Sequence, residues 1–264
     1  MPIVLRQLFA YRNFIWRSVR NDFRMRFARS KFAGFWVIIQ PLVQVAIFAL
    51  VLSDLLKVRL VGMEGKYAYT VHLLAGMSVW TLFSDSLTRT ATSFLEHANS
   101  IKKIAFPRIC PPAIGLGIAL SNTVLLLTLS LVFILLAYSL SALAIIQLIP
   151  VLLVTVILGG SIGLVVGTLN VFMRDVWQVI SVALQFLYWF TPIVYPIATL
   201  SPEVARWVSC NPLTPLVVAA QDILVRGMAP ELSSLLAPAI LGAVIGACGF
   251  FMFRRAAPDM ADAL

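Results

Sequence analysis

Long, uninterrupted runs of apolar residues dominate the chain, and the polar residues are concentrated between them. Six runs are each long enough for a helix to cross the hydrocarbon core of a bilayer, which takes about 20 residues. They cover residues 33–56, 69–93, 111–138, 143–172, 176–196 and 234–253. Because the runs are continuous and do not alternate with polar residues, a transmembrane β-barrel is excluded. The pattern predicts an all-α membrane protein with six transmembrane helices.

The segment between the fifth and sixth runs, residues 197–233, does not fit a simple loop. It is too long for a turn, and its apolar stretch, residues 213–224, is too short to cross a membrane. Prolines interrupt it at positions 202, 212, 215 and 230. Irregular backbone at membrane depth persists only where protein or a water-filled cavity covers it. We therefore expect a pair of short re-entrant helices that dip back from the outer face.

The first 32 residues are basic and partly amphipathic. Apolar residues recur at helical spacing, and several arginines cluster on the opposite side of the same helix. The apolar set is Leu5, Leu8, Phe9, Trp16, Val19, Phe23 and Phe27, and the arginine set is Arg6, Arg17, Arg20 and Arg24. Arg12 and Arg26 intrude on the apolar face. The pattern favours a helix along the membrane surface, since a simple basic anchor would explain the charge but not the apolar stripe.

Composition and charge identify lipid as the solvent of this chain. Hydrophobic residues make up 61% and charged residues 12% of the sequence, whereas a soluble domain is about half apolar and a quarter charged. Mean hydropathy is +0.96. The net charge of +9 comes from basic residues that flank apolar runs. Because no nucleic-acid-binding motif occurs, we expect these residues to contact membrane lipids.

The distribution of Lys and Arg predicts the orientation. With the N-terminus inside, fifteen of the 20 Lys and Arg residues lie on cytoplasmic segments and five lie outside. We therefore expect a multi-pass membrane protein with both termini in the cytoplasm. Its parts would be a cytoplasmic interface helix (residues 1–32), a six-span transmembrane domain (residues 33–253) and a cytoplasmic tail (residues 254–264).

Few ionisable side chains lie within the apolar runs, so the sequence offers little catalytic chemistry. Asp85 and Arg89 are four residues apart on one helix face, where they can form an ion pair. The three cysteines lack metal-ligand spacing, and no nucleophile-and-base set, proton relay or P-loop occurs. We expect no catalytic residue, metal site or cofactor in this chain. If ATP drives the protein, another polypeptide must hydrolyse it.

Aromatic residues crowd the fifth run and also occur in the first two. Most aromatic residues near span ends are interfacial anchors, and this is the interpretation for Trp36, Trp177 and Tyr195. Tyr188, Trp189 and Phe190 point in different directions around one helix, so at least one of them should face inward. Aromatic rings suit the apolar C–H faces of sugars. Together with Phe35, these three residues are the predicted lining of a polysaccharide channel.

Five short motifs, in order along nearly the whole chain, resemble those of the ABC-2 type permeases that export polysaccharides. The similarity is greatest to the O-antigen exporter branch of this group, which also includes capsule and teichoic-acid exporters. The motifs are RNDFRMRFARSK with GFW and QPL (residues 20–42), NSIKKIAFP (99–107), NVFMRD (170–175), TPIVYP (191–196) and NPLTP (211–215).

The resemblance implies a homodimeric permease of a bacterial inner membrane that pairs with a separate P-loop nucleotide-binding subunit, which would bind the ATP and magnesium. The cytoplasmic loop between the second and third spans, residues 96–108, would form the helix that couples to this ATPase. The coupling residues would be Glu96, Asn99, Lys102, Lys103, Phe106, Pro107 and Arg108. The N-terminal interface helix would be a second contact, and the re-entrant segment would gate the outer end of the channel.

The substrate implied by the resemblance is a polysaccharide, such as O-antigen for lipopolysaccharide, linked to undecaprenyl diphosphate. Guanidinium groups bind phosphate oxygens in a bidentate manner. The basic cluster at the inner interface is therefore a predicted diphosphate site, formed by Arg20, Arg24, Arg26, Arg29 and Lys31. Two alternatives stay open. One is a permease for another substrate, such as teichoic acid, capsule, a drug or a lipid, and the other is a membrane-embedded enzyme of glycan assembly.

Overall fold

The computed structural model describes residues 2–28, 68–103, 107–137 and 142–264, together with the single positions 39 and 43. Within these ranges the chain is helical and contains no strand. The first predicted span, residues 33–56, lies outside the described residues, and so do Arg29, Lys31, Phe35 and Phe106. The helices are α1 (Pro2–Ala10), α2 (Arg12–Ala28), α3 (Ala68–Glu96), α4 (Ala98–Lys103), α5 (Cys110–Ala137), α6 (Ala142–Phe172), α7 (Asp175–Trp189), α8 (Pro202–Ser209), α9 (Thr214–Gln221), α10 (Leu232–Ala256) and α11 (Met260–Ala263).

Three helices are long and apolar enough to cross a membrane. The qualifying stretches are Cys110–Leu135 in α5, Leu143–Phe172 in α6 and Leu232–Ala256 in α10. They correspond to the third, fourth and sixth predicted spans, and each begins and ends within three residues of the predicted boundaries. These helices agree with a multi-pass membrane protein.

Helix α3 is the second predicted span and lies at the centre of the bundle. It packs against α5, α6 and α9, and α6 also packs against α10. Although α3 has 29 residues, it is not among the helices that are apolar enough to cross a membrane. The reason is its polar content, which includes the buried residues Ser78, Ser86, Thr90 and Ser93. Neighbouring helices cover these residues, so α3 does not need a lipid-compatible surface all round.

The fifth predicted span is shorter in the structure than in the sequence-based prediction. Helix α7 ends at Trp189, although the apolar run continues to residue 196. A helix of 15 residues extends for about 22 Å, less than the roughly 30 Å of a hydrocarbon core. Pro192 explains the early end, because a proline disfavours helical backbone in the residue before it. The total of six transmembrane helices therefore stays a prediction.

The segment between α7 and α10 contains the expected short helices. After a 3-10 turn at Ile197–Thr199, α8 and α9 follow, and a π-helical turn at Asp222–Arg226 extends α9. The two helical pieces, Pro202–Ser209 and Thr214–Arg226, are bent by 104° at the break between them. Such a bend is typical of a broken span or a re-entrant loop. Gly227 ends the π-helical turn with φ of 64°, a left-handed conformation that glycine adopts readily.

The N-terminal segment forms two helices, where the sequence analysis predicted one. Helices α1 and α2 are separated at Tyr11, and α2 packs against α5. Val19 of α2 is buried in a small cluster with Ile114 and Ile118. Trp16 stays exposed, so the structure places only part of the predicted apolar stripe against protein. The function of this segment at a membrane surface stays a prediction.

Candidate functional site

The backbone after α7 turns sharply, and side chains from a distant segment bind its polar groups. Asn211 Nδ2 donates a hydrogen bond to Thr191 Oγ1 at 2.9 Å, and the Asn211 Oδ1 atom accepts one from the backbone N–H of Leu213 at 3.0 Å. Asn211 and Thr191 are both buried. The motifs at residues 191–196 and 211–215, which are separate in the sequence, therefore form one structural unit.

Two further hydrogen bonds join this turn to α3 and α9. Gln221 Nε2 donates to the backbone carbonyl of Pro192 at 2.9 Å, and Tyr69 Oη donates to that of Val194 at 2.7 Å. The approach is close at Gly76, where an added Cβ would lie 3.0 Å from Gln221 Nε2. Non-helical backbone in a membrane protein must have its polar groups satisfied by protein or water. Here, side chains on both neighbouring helices satisfy them. We call this set of contacts the outer junction, after the orientation that the Lys and Arg distribution predicts.

A small pocket opens beside the outer junction. His72, Gln221, Asp222 and Arg226 contribute its polar lining. Asp222 and Arg226 form an ion pair at 3.0 Å. His72 Nε2 is buried and has no hydrogen-bond partner within the described parts of the chain. The sequence analysis did not assign Tyr69, Gln221 or Asn211 to a site. The available signals were the position of Tyr69 and Gln221 within or beside apolar runs and the place of Asn211 in the motif at residues 211–215.

The aromatic residues at the end of α7 divide between the interior and the exposed surface. Tyr188 packs against Trp80 of α3 in an edge-to-face contact, with ring centroids 5.3 Å apart. Trp189 is 63% exposed and Phe190 is 43% exposed. Thus Tyr188 faces inward, in agreement with the expectation that at least one of the three would do so. The structure leaves the channel-lining assignment of Tyr188, Trp189 and Phe190 as a prediction.

The carboxylate of Asp85 is bound by a residue of α5 and not by Arg89, the partner that the sequence predicts. Asn122 Nδ2 donates a hydrogen bond to Asp85 Oδ2 at 2.8 Å, and no ion pair joins Asp85 to Arg89, both of which are described. Helix α5 can approach α3 closely because Gly115 lies against the backbone at Arg89, where an added Cβ would be 2.6 Å from the carbonyl oxygen. The contact places the Asn122 amide within reach of Asp85. The polar pair therefore fixes two helices to each other.

The predicted coupling loop begins with an exposed polar surface on α4 and the end of α3. Glu96 accepts a hydrogen bond from Thr92 Oγ1 at 2.8 Å. Glu96, Asn99 and Lys102 are exposed, and Pro107 and Arg108 are half-buried. Lys103 is the last residue of α4, but its side chain, like all of Phe106, lies outside what the structure describes. The accessible residues are thus available to a partner protein.

The buried side of α4 is joined to the C-terminus of the chain. Ile101 packs in a cluster with Phe94, Phe253 and Met260, and the rings of Phe94 and Phe253 stack with centroids 5.6 Å apart. Met260, in α11, is 0% exposed. The sequence predicts no more for residues 254–264 than a cytoplasmic tail. We call this contact the cytoplasmic cluster, after the predicted orientation. It makes the C-terminal segment part of the support for α4.

The predicted diphosphate site is only partly within the described residues. Arg20 and Arg24 are exposed on α2, where phosphate oxygens could reach them. Arg26 lies in α2, but its side chain is outside the description, as are Arg29 and Lys31. The assignment of the five basic residues to a diphosphate stays a prediction. For metals, the described residues bring together no group of three His, Cys, Asp or Glu side chains that could hold an ion.

Comparison with known proteins gives consistent matches. The family model for ABC-2 type transporters matches residues 13–225. An O-antigen export system permease protein, RfbA of Myxococcus xanthus, is 25% identical over 258 residues, which is 96% of each chain. A protein of the same name from Klebsiella pneumoniae is 25% identical over 209 residues, 78% of each chain. The matched region contains α3, the predicted coupling loop, α7 and the outer junction. This chain belongs to the ABC-2 type transporter family.

Proposed function

We propose that this chain is the transmembrane subunit of an ATP-driven exporter that moves lipid-linked polysaccharide across the bacterial inner membrane. O-antigen linked to undecaprenyl diphosphate is the proposed substrate. The observation that carries the proposal is the similarity to an O-antigen export permease over 96% of both chains. ATP and magnesium would be bound by a separate P-loop subunit, and a second copy of this chain would complete the channel.

The geometry of the cytoplasmic end supports coupling to such an ATPase. Helix α4 presents Asn99 and Lys102 to solvent while Ile101 fixes it to the cytoplasmic cluster. A force on α4 would therefore reach α3 directly, since α3 and α4 adjoin at His97. Helix α3 in turn carries Tyr69, which holds the outer junction. One helix would thus transmit movement from the ATPase to the outer end of the channel.

The outer end supports a gated exit. In the proposed orientation both termini are cytoplasmic, so α8 and α9 lie at the outer end and their bend of 104° turns the chain back there. At the outer junction, Gln221 of α9 and Tyr69 of α3 hydrogen-bond to the same turn after α7, and α3 comes close to the Gln221 side chain at Gly76. Opening the exit would require these contacts to rearrange. Lipid-linked sugar could then leave on the outer side.

The coupling assignment is tested by reversing charge on α4. We expect Lys102→Glu combined with Lys103→Glu to reduce both the amount of ATPase subunit that co-purifies with this chain and the surface polysaccharide of the cells. The matched control is Arg206→Glu, an exposed residue of α8 on the proposed outer side, which should leave co-purification unchanged. Normal export and normal ATPase recovery from the double variant would contradict the assignment.

A further inference from the structure

Two glutamines lie on the exposed face of α7, and their side-chain amides have no hydrogen-bond partner among the residues that the structure describes. Gln178 and Gln185 are seven residues apart and both exposed. The Ser181 hydroxyl donates to the backbone carbonyl of Gln178 at 2.8 Å and not to its side-chain amide. Neither amide forms a hydrogen bond with any residue that the structure describes. Both lie on a helix that the fifth apolar run predicts to be within the membrane.

The depth of Gln185 makes exposure to lipid unfavourable. It is ten residues from Asp175 at the cytoplasmic end of α7, a distance of about 15 Å along a helix. This places it near the middle of a hydrocarbon core about 30 Å thick. An amide without a hydrogen bond in such a medium costs several kcal/mol. The face of α7 that carries Gln185 should therefore contact water or polar groups in the assembled protein.

The exposed half of α7 has a polar edge and an apolar edge. At 100° per residue, Gln178, Gln185 and Trp189 lie within about 40° of one another. Val179, Ala183 and Phe190 lie roughly 80° or more away from Trp189 on the other side. All six are exposed. An amide stripe with an exposed indole therefore runs along one edge of the helix only.

We propose that Gln178, Gln185 and Trp189 form a sugar-contacting stripe on the wall of the transport channel. This inference rests on the proposed export function and assigns sugar recognition to particular residues. An amide both donates and accepts hydrogen bonds, which matches the paired donor and acceptor character of sugar hydroxyls. The indole of Trp189 offers an apolar face to C–H groups, and its ring is held by an edge contact with Tyr188 at 5.4 Å. A neutral stripe of this kind binds hydroxylated chains without a charged group that would hold them in place.

Pairing between two copies is the competing arrangement. Amides on facing transmembrane helices hydrogen-bond to each other, and a twofold axis beside α7 would bring the same glutamines together. In that arrangement the stripe would be dry and closed to a substrate. Water access to the stripe therefore separates the two arrangements.

Cysteine labelling in native membranes, with the ATPase subunit present, tests the proposal. Exposed Cys210 and Cys248 are first replaced by Ser, while buried Cys110 is kept. Single cysteines are then placed at Gln178, Gln185 and, as controls on the apolar edge, Val179 and Ala183. A charged, membrane-impermeant thiosulfonate reacts with the thiolate, which requires water. We expect the cysteine at Gln178 to react about tenfold or more faster than the one at Val179, and the cysteine at Gln185 to do so relative to the one at Ala183.

Two results would overturn the proposal. The first is equal, slow labelling at all four positions, which means a lipid-facing helix. The second is a disulfide between two copies at Gln185→Cys together with protection from the reagent, which means paired amides. Contact with sugar is tested separately: labelling at Gln185→Cys should be slower in cells that make the polysaccharide than in cells that cannot. Equal rates in the two cell types would remove the sugar contact.

A functional variant distinguishes failure of the stripe from failure of the export function. Gln185→Leu should reduce surface polysaccharide severalfold at normal protein abundance. The control Gln147→Leu, half-buried in the outer part of α6, should not. Normal export with Gln185→Leu would overturn the stripe while leaving the export function intact. If deletion of the whole chain leaves surface polysaccharide unchanged, the export function itself fails, whatever the labelling pattern.

Discussion

The crossing of α3 and α6 depends on glycines that let two backbones touch. A Cβ added at Gly163 of α6 would lie 2.7 Å from the carbonyl oxygen of Leu87 and 2.8 Å from Thr90 Cβ. Ordinary Cβ contacts begin at 3.4 Å, so the helices would have to part by about 0.7 Å. The obstacle is backbone at Leu87, which has no rotamer to move away. Gly159, one turn earlier, has the same relation to the carbonyl oxygen of Phe83, at 2.7 Å.

We therefore expect Gly163→Ala to destabilise the protein although alanine is the better helix former. Overpacking of this kind costs about 1–3 kcal/mol, and the gain in helix propensity offsets at most about 1 kcal/mol. Gly163→Val should be worse, because its branches add to the same clash. The matched control is Gly246→Ala in α10, where the new Cβ would meet the Ser161 side chain, with the hydroxyl oxygen at 2.7 Å and Cβ at an ordinary 3.5 Å. That hydroxyl can rotate away.

The assay is the apparent melting temperature of the purified protein in detergent. It is read from the loss of the monodisperse size-exclusion peak after heating. For chains of this size, 1 kcal/mol corresponds to roughly 2–4 °C. The expected order of stability is Gly246→Ala equal to or above the parent protein, then Gly163→Ala, then Gly163→Val. A Gly163→Ala protein that melts at or above the temperature of Gly246→Ala would refute the close backbone contact.

Three further predictions concern the outer junction and the cytoplasmic cluster. Asn211→Ala removes the hydrogen bond to Thr191 Oγ1, which keeps its own bond to the Leu187 carbonyl, and takes away the described acceptor of the Leu213 N–H. It should lower stability by about 1–3 kcal/mol. Thermal melting measures the loss, beside Asn211→Asp, which keeps the acceptor for Leu213, and equal melting of Asn211→Ala and the parent protein would contradict the prediction. Tyr69→Phe removes only the hydrogen bond to the Val194 carbonyl and should lower the free energy of unfolding by about 1 kcal/mol. Thermal melting again measures the loss, and Tyr195→Phe, which removes an exposed hydroxyl, is the control that should lose less. Met260→Asp places a charge in the cytoplasmic cluster and should reduce recovery of the ATPase subunit in co-purification, whereas exposed Asp259→Asn should not; full recovery with Met260→Asp would show that α11 does not support α4.

The apolar pattern predicted the helices whose composition alone requires lipid. For α5, α6 and α10, nearly every residue is apolar, so length and hydropathy identify the span and its ends. The end of α7 was predicted seven residues too late. An apolar run does not reveal where a helix stops, and the signal at Pro192 was present in the sequence but was outweighed by the hydropathy of residues 193–196.

The contacts between distant polar residues could not be predicted from spacing. Asp85 and Arg89 have the spacing of an ion pair, yet Asn122 is the partner of Asp85, because the choice depends on which helix packs alongside. Asn211, Gln221 and Tyr69 likewise meet the turn after α7 only through tertiary packing. Met260 looked like part of a polar tail, since a single buried side chain in a four-residue helix produces no periodic pattern. Local signals specify helices, whereas the pairing of helices decides these sites.

The central claim is that this chain carries polysaccharide out of the cytoplasm. The most direct measurement locates the lipid-linked polysaccharide in native cells after depletion of this chain. Surface labelling detects the polysaccharide outside, and analysis of the inner-membrane lipid fraction detects the polymer that stays attached to lipid. The account predicts that surface polysaccharide disappears while the lipid-linked polymer accumulates on the cytoplasmic side, and that both recover when the chain is supplied again. Unchanged surface polysaccharide in depleted cells would contradict it.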